Sequence, residues 1–300
     1  MQNITPHLWF DKQAREAAEL YVSLIPGSKL KKVTTLTGTP SGDCDLVSFE
    51  LSGQPFMAIS AGPLFKFNPS VSFHLKCGTR EEVDKIWGAL SDGGNILMPL
   101  DKYPFSERYG WLQDKYGLSW QVMYTPGGSG DRRITPALMF VGNVCGKAEE
   151  ALEFYVSVFR GAPGETGNKQ NRAEILARHG NSAPEKEGTV QYARAWLLGQ
   201  EFAAMDSARE HNFAFNEAIS FLAPCDTQEE IDYLWEKLSA DPKAEQCGWL
   251  KDKYGLSWQI APVMMQQLLG SGDKARLGRV TQAFLKMKKF DIAALERAAG

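Results

Sequence analysis

Two of the four histidines in this 300-residue chain, His7 and His74, stand where an internal copy of the same pattern carries chemically inert side chains, Ala137 and Leu222. Imidazole changes charge near neutral pH and readily holds metals or hydrogen bonds. The asymmetry therefore marks where a duplicated chain has kept or lost function. The duplication is read from Gly110-Trp111-Leu112-Gln113-Asp114-Lys115-Tyr116-Gly117-Leu118-Ser119-Trp120-Gln121-Val122, which returns as Gly248-Trp249-Leu250-Lys251-Asp252-Lys253-Tyr254-Gly255-Leu256-Ser257-Trp258-Gln259-Ile260. Two further matches fix the alignment: Ile4-Thr5-Pro6-His7-Leu8-Trp9-Phe10 with Ile134-Thr135-Pro136-Ala137-Leu138-Met139-Phe140, and Ser72-Phe73-His74 with Ser220-Phe221-Leu222.

Strands and helices must position these residues. In the first copy, residues 5–10 are β-rich, and 12–24 carry Ala14, Ala17, Ala18, Tyr21 and Val22 at helical spacing before Pro26-Gly27 ends the helix. Strand-like runs follow at 29–36, 45–51 and 55–60. The pattern then restarts with a strand over 70–77, a helix over 79–90 opened by a Thr79/Glu82 capping box, and strands through 95–124. Each copy reads as two βαβββ units, four in all. Alternation along a strand sets His7 and Trp9 opposite Leu8 and Phe10, and Ser72 and His74 opposite Phe73 and Leu75. Likewise Ser119, Gln121 and Met123 oppose Trp120 and Val122. One face is apolar and suits helices; the other collects His7, His74 and Gln121, as a cavity wall would.

Composition narrows the classes of function. A net charge of -3 and a pI near 5.9 offer no broad basic surface, so neither nucleic acid nor a membrane is an expected partner. Lys29-Lys31-Lys32 and Lys286-Lys288-Lys289 read as solvated faces. Nothing resembles an export signal or the roughly 20 apolar residues of a membrane span. Five scattered cysteines without a Cys-x-x-Cys pair argue against a disulfide framework and fit a cytoplasmic location. Pro126-Gly127-Gly128-Ser129-Gly130-Asp131 has linker composition and no phosphate-loop context. The copies diverge in loops: the first holds an extra segment, 98–109, with Tyr103, Phe105, Arg108 and Tyr109, and the second a longer polar stretch, 161–188. Residues 263–297 read as helical in two pieces, with Leu277, Val280, Phe284 and Met287 as a stripe for core or dimer contact and Asp291 as a cap.

The repeated Trp-Leu-x-Asp-Lys-Tyr-Gly-Leu-Ser-Trp-Gln segment, the Ile-Thr-Pro-His-Leu-Trp-Phe start and the paired βαβββ order resemble the PhnB-like proteins. These include members labelled demethylubiquinone methyltransferase-like, within the vicinal-oxygen-chelate superfamily of glyoxalases, bleomycin-resistance proteins and extradiol dioxygenases. The resemblance covers residues 4–125 and 134–262 and extends to the Lys286-Met287-Lys288-Lys289-Phe290-Asp291-Ile292 tail. It implies an α+β fold of two tandem glyoxalase-like domains, 1–125 and 134–262, joined by a 126–133 linker and followed by a helical tail, 263–300. In each domain, paired βαβββ units are expected to form a concave mixed-sheet cup.

Metal-using members of that superfamily take ligands from the first and last strands of each unit. Mapped onto this chain, that implies His7, His74 and Gln121, with only Ser60 at the fourth position. The second domain offers Ala137, Leu222 and Gln259, with Asp206 aligned to Ser60, and is expected to be metal-free. A divalent Zn, Ni, Fe or Mn ion in the first domain would polarise a bidentate oxygen substrate in a lyase, isomerase or dioxygenase reaction. The alternative is a binding protein, in which the histidines donate hydrogen bonds and Trp9, Trp111, Phe105 and Tyr109 stack a planar small molecule beside Arg108 and Ser119. Methyl transfer finds no glycine-rich nucleoside loop and no doubly wound pattern, and no nucleotide cofactor is expected. Trp120 and Trp258 are assigned to the core, and Asp114 and Asp252 to turns. The tandem domains are expected to pair within one chain, with a homodimer as the other arrangement.

Overall fold

The computed structural model describes residues 3–127, 133–164, 171–270 and 272–300. The first copy runs β1 (Thr5–Phe10), α1 (Ala14–Leu24), β2 (Lys29–Thr39), β3 (Gly42–Leu51) and β4 (Gln54–Ser60), then β5 (Val71–Cys77), α2 (Arg80–Ser91), β6 (Asn95–Tyr103), β7 (Ser106–Gln113) and β8 (Ser119–Tyr124). The second runs β9 (Ile134–Phe140), α3 (Ala148–Arg160), β10 (Arg172–Arg178), β11 (Val190–Leu197) and β12 (Gln200–Asp206), then β13 (Ile219–Cys225), α4 (Gln228–Leu238), β14 (Trp249–Lys251) and β15 (Ser257–Pro262). The final unit is thus βαββ. It lacks the residues that in the first copy build the β6–β7 hairpin, so the extra segment at 98–109 is an edge hairpin and not a loop. The helix starts follow local chemistry: Thr79 Oγ1 accepts from Glu82 N, and Thr227 with Glu230 forms a complete capping box. Most of the linker and residues 165–170 of the long polar stretch lie outside the described residues.

The units pair across the copies. A seven-stranded sheet has the order β14-β15-β13-β1-β4-β3-β2, joining the first unit of copy one to the last unit of copy two. An eight-stranded sheet, β10-β11-β12-β9-β5-β8-β7-β6, joins the other two. The seams are antiparallel, β1 on β13 with His7 opposite Ser220, and β5 on β9 with His74 opposite Thr135. The expected cups therefore exist, but each is shared between the copies.

Both sheets are strongly curled. His7 on β1 and Trp249 on β14 are three strand positions apart, about 14 Å on a flat sheet, yet their ring centroids are 5.5 Å apart. His74 and Tyr192, equally separated in the other sheet, lie 6.2 Å apart. The apolar convex faces share one core across the two sheets, where Phe56 meets Phe73 at 5.4 Å and Phe202 meets Phe221 at 4.9 Å. Trp120 and Trp258 are fully buried there. Asp114 accepts from Tyr21 Oη at 2.6 Å, Trp120 Nε1 at 3.0 Å, and the Tyr116 and Leu118 amides. Asp252 repeats this with Tyr155, Trp258, Tyr254 and Leu256. These turn carboxylates tie each copy's first helix to its second unit.

The tail forms three helices rather than two: α5 (Met264–Gly270), α6 (Lys274–Phe284) and α7 (Ile292–Ala299), with Asp291 capping α7 through Ala294 N. The α5 and α6 helices lie across the concave face of the seven-stranded sheet, and Met265, Leu269 and Phe284 reach the cavity that contains His7. Cys247 N and Gly248 N donate to Met287 O and Lys288 O, both at 2.8 Å, pinning the tail to the sheet. Gly248 has φ +84°, and a Cβ there would stand 2.4 Å from the Phe290 ring. Only glycine admits both the backbone and the tail.

Candidate functional site

The curl of the seven-stranded sheet gathers His7, Met57, Leu222, Gln259 and Trp249 under the tail, around a cavity of about 110 Å³. A neighbouring space of about 380 Å³, walled by Trp9, Phe65, Cys44 and Lys243, shares Leu36, Ile59, Cys247, Trp249 and Phe284 with it. His7 is 3 % exposed, and burial pushes its pKa down to about 3, so the imidazole is neutral. Burial is the one cause of that shift, and the ring meets Trp249 edge-on at 5.5 Å. Gln259 Nε2 donates to Ser220 Oγ at 2.7 Å, which orients the carboxamide. Trp9 Nε1 donates to Gly62 O at 2.8 Å, which fixes the indole edge, and its ring walls the neighbouring space with Phe65 at 5.1 Å.

His74 and Gln121 lie in the other cup, on adjacent strands in register. Gln121 is held by the protein: its Oε1 accepts from Tyr109 Oη at 2.6 Å, its Nε2 donates to Ser72 Oγ at 2.8 Å, and the carboxamide also interacts with the His74 imidazole. His74 is as buried as His7, and burial first, with Lys76 second, lowers its pKa to about 4. Trp111 Nε1 donates to Ser119 Oγ at 2.8 Å on the same wall. Tyr109 is buried, whereas Phe105 is 67 % exposed at the hairpin tip, stacked on Tyr103. Arg108 pairs with Asp84 on the outside.

The expected set of His7, His74 and Gln121 is therefore split, the first in one cup and the other two in the second. The cause is the cross-copy pairing of β1 with β13 and of β5 with β9. Ser60 and Asp206 are structural: Ser60 Oγ accepts from Ala14 N, and Asp206 accepts from the Gly146, Ala148 and Val190 amides, so both hold the starts of helices. The aromatic wall divides in the same way, with Trp9 in one cup and Tyr109 and Trp111 in the other.

A divalent ion does not fit these donors. Each cup supplies one imidazole, the Gln121 carboxamide is spent on protein partners, and no group of three or more His, Cys, Asp or Glu side chains converges among the described residues. Sequence reasoning missed Met57, Met265, Lys76, Tyr192, Arg194 and Glu201, and it named Leu222 only as the counterpart of His74 and Phe284 only as part of the tail stripe. The alternation of β11 and β12 points Tyr192, Arg194 and Glu201 inward, but only the sheet order shows which strands they face.

A family model described as 3-demethylubiquinone-9 3-methyltransferase matches residues 2–123 and again 132–261. Among solved structures, a putative 3-demethylubiquinone-9 3-methyltransferase, PhnB protein, from Bacillus cereus is 38 % identical over 41 % of this chain and all of its own, with a TM-score of 0.39. Glyoxalase I from Zea mays is 11 % identical over 91 % of this chain and 96 % of its own, with a TM-score of 0.51, a likeness of fold. No curated protein matches. No helix among the described residues is long and apolar enough to cross a membrane.

Proposed function

Since the chain belongs to the family described as 3-demethylubiquinone-9 3-methyltransferase, in two tandem copies, we propose that it binds a small, mostly apolar ring compound carrying one hydrogen-bonding group, in the cup of the seven-stranded sheet beneath the tail. The neutral, unpartnered imidazole of His7, in a mostly apolar cavity whose other polar side chain is the Gln259 carboxamide, carries this reading. A neutral imidazole offers one donor and one acceptor, which suits a hydroxyl or carbonyl on the ring. The adjoining space of about 380 Å³ falls within the usual range of ligand pockets. Phenolic or quinone-like rings match both this chemistry and the compound in the family description.

Methyl transfer is not supported by the architecture. The curled mixed sheets contain no doubly wound parallel sheet with a nucleoside crevice. Domain boundaries at 125, 134 and 262 follow the two copies and are part of this reading, with the working site built from both.

Calorimetric titration with 2-methoxyphenol in the presence of a chelator tests the reading. Binding should survive the chelator, weaken about tenfold in His7→Leu through loss of one hydrogen bond, and disappear in Leu222→Trp, which fills the cavity. Affinity that vanishes with the chelator would point back to a metal. Binding unchanged in both variants would sink the assignment to this cup.

A further inference from the structure

Seven strands of one sheet correspond in order and register to seven of the other, with the edge strand β6 left over. Ala193 opposite Ala204 repeats Val47 opposite Ala58, and His74 opposite Thr135 repeats Leu222 opposite Thr5. By this register Tyr192, Arg194, Glu201, Lys76 and His74 of the eight-stranded sheet stand where the seven-stranded sheet has Leu46, Ser48, Pro55, Pro224 and Leu222. Five inward positions that are apolar or small in one cup are thus polar or charged in the other. The tail covers only the apolar cup.

The polar residues are incompletely satisfied. Glu201 is 6 % exposed, and its carboxylate lies 3.9 Å from Lys76 Nζ and 3.7 Å from Arg194 Nη1, both beyond hydrogen-bond range. His74 Nε2, Arg194 Nε and Glu201 Oε1 are buried without a hydrogen-bond partner among the described residues. Thr135 Oγ1, directly opposite His74, is likewise unpaired, and leaving buried polar groups without partners is unfavourable, so four on one wall describe a site built for a partner. Lys76 and Arg194 against Glu201, with His74 neutral, leave one net positive charge.

We propose that this concave face is a second binding site, for a small organic anion that carries its own hydrogen-bond donor, such as a hydroxy acid. Lys76 and Arg194 receive the carboxylate, Glu201 Oε1 accepts from the hydroxyl, and the near-parallel His74 and Tyr192 rings form the wall against which the attached group rests. The site is independent of the apolar cup, because it lies on the other sheet and takes the opposite chemistry.

Mandelate and its uncharged analogue mandelamide test this by calorimetry on the full chain. Mandelate should bind, and mandelamide at least about tenfold more weakly, as expected for lost charge-assisted hydrogen bonds. Arg194→Ser, which installs the residue of the other cup, and Lys76→Met should each weaken mandelate at least about tenfold and leave 2-methoxyphenol binding unchanged. Should Arg194→Ser melt early, Arg194→Lys serves in its place, with weaker mandelate binding and retained preference for acid over amide. The proposal is overturned if neither compound binds, if acid and amide bind equally, or if both cationic positions can be changed without effect. Failure of the 2-methoxyphenol experiment alone would leave this site standing.

Discussion

At the scale of single residues, burial decides what the two histidines do. The folded pKa values of about 3 for His7 and about 4 for His74 lie below the ordinary value of 6.5. Between those limits the unfolded chain takes up protons that the native imidazoles refuse. Stability is therefore full above pH 6.5 and falls as the medium is acidified toward 3, by up to about 1.4 kcal/mol per pH unit for each group. His7→Leu and His74→Leu should each flatten that acid-side slope in urea unfolding followed from pH 7 to 4; an unchanged slope would refute the buried-neutral assignment. The carboxylates show how much environment matters. Asp114→Ala removes an acceptor serving four donors in the core and should cost about 2–4 kcal/mol. Asp84→Ala, which loses an exposed pair with Arg108, should cost under about 1 kcal/mol.

At the scale of elements, the tail is the feature most open to test. It is held over the apolar cup by two backbone hydrogen bonds at Cys247 and Gly248 and by Phe284 and Phe290 packing. Gly248→Ala should loosen it, because the added methyl collides with Phe290 and the backbone is left-handed. The expected result is a lower Tm and greater binding of an apolar dye, with the far-UV spectrum retained; an unchanged melt would show that the tail is not seated as described. Much at this scale was legible in sequence. Alternation put His7, His74 and Gln121 on concave faces, helical spacing found α1 and α2, and Thr79 marked a helix start. Those signals are local, set by side-chain period and capping. The position of α5 and α6 over one cup was not legible, since Val280 and Phe284 reveal an apolar stripe but not the surface that it covers.

At the scale of the whole molecule, which unit joins which sheet escaped the sequence for a physical reason. The β5 and β13 strands read Val-Ser-Phe-His-Leu-Lys-Cys and Ile-Ser-Phe-Leu-Ala-Pro-Cys and offer nearly the same edge to β1 or β9. A repeat supplies equivalent partners, and only global closure chooses between them. One consequence is that the copies cannot be separated as folded monomers. Residues 1–127 expressed alone should self-associate or precipitate, whereas co-expression with 133–300 should give a one-to-one complex by light scattering; a stable monomer of 1–127 would contradict the shared sheets. Chain order then sets a timetable. Every strand of the eight-stranded sheet lies between Val71 and Asp206, so that sheet can be completed while the ribosome is still at work. The β1 strand must wait for β13, from Phe10 to Ile219, and at about 5–20 residues per second its apolar edge stands uncovered for roughly 10–40 s. The first unit, β1 to β4, emerges first yet is finished only after the eight-stranded sheet, and in that interval the nascent chain most needs a chaperone.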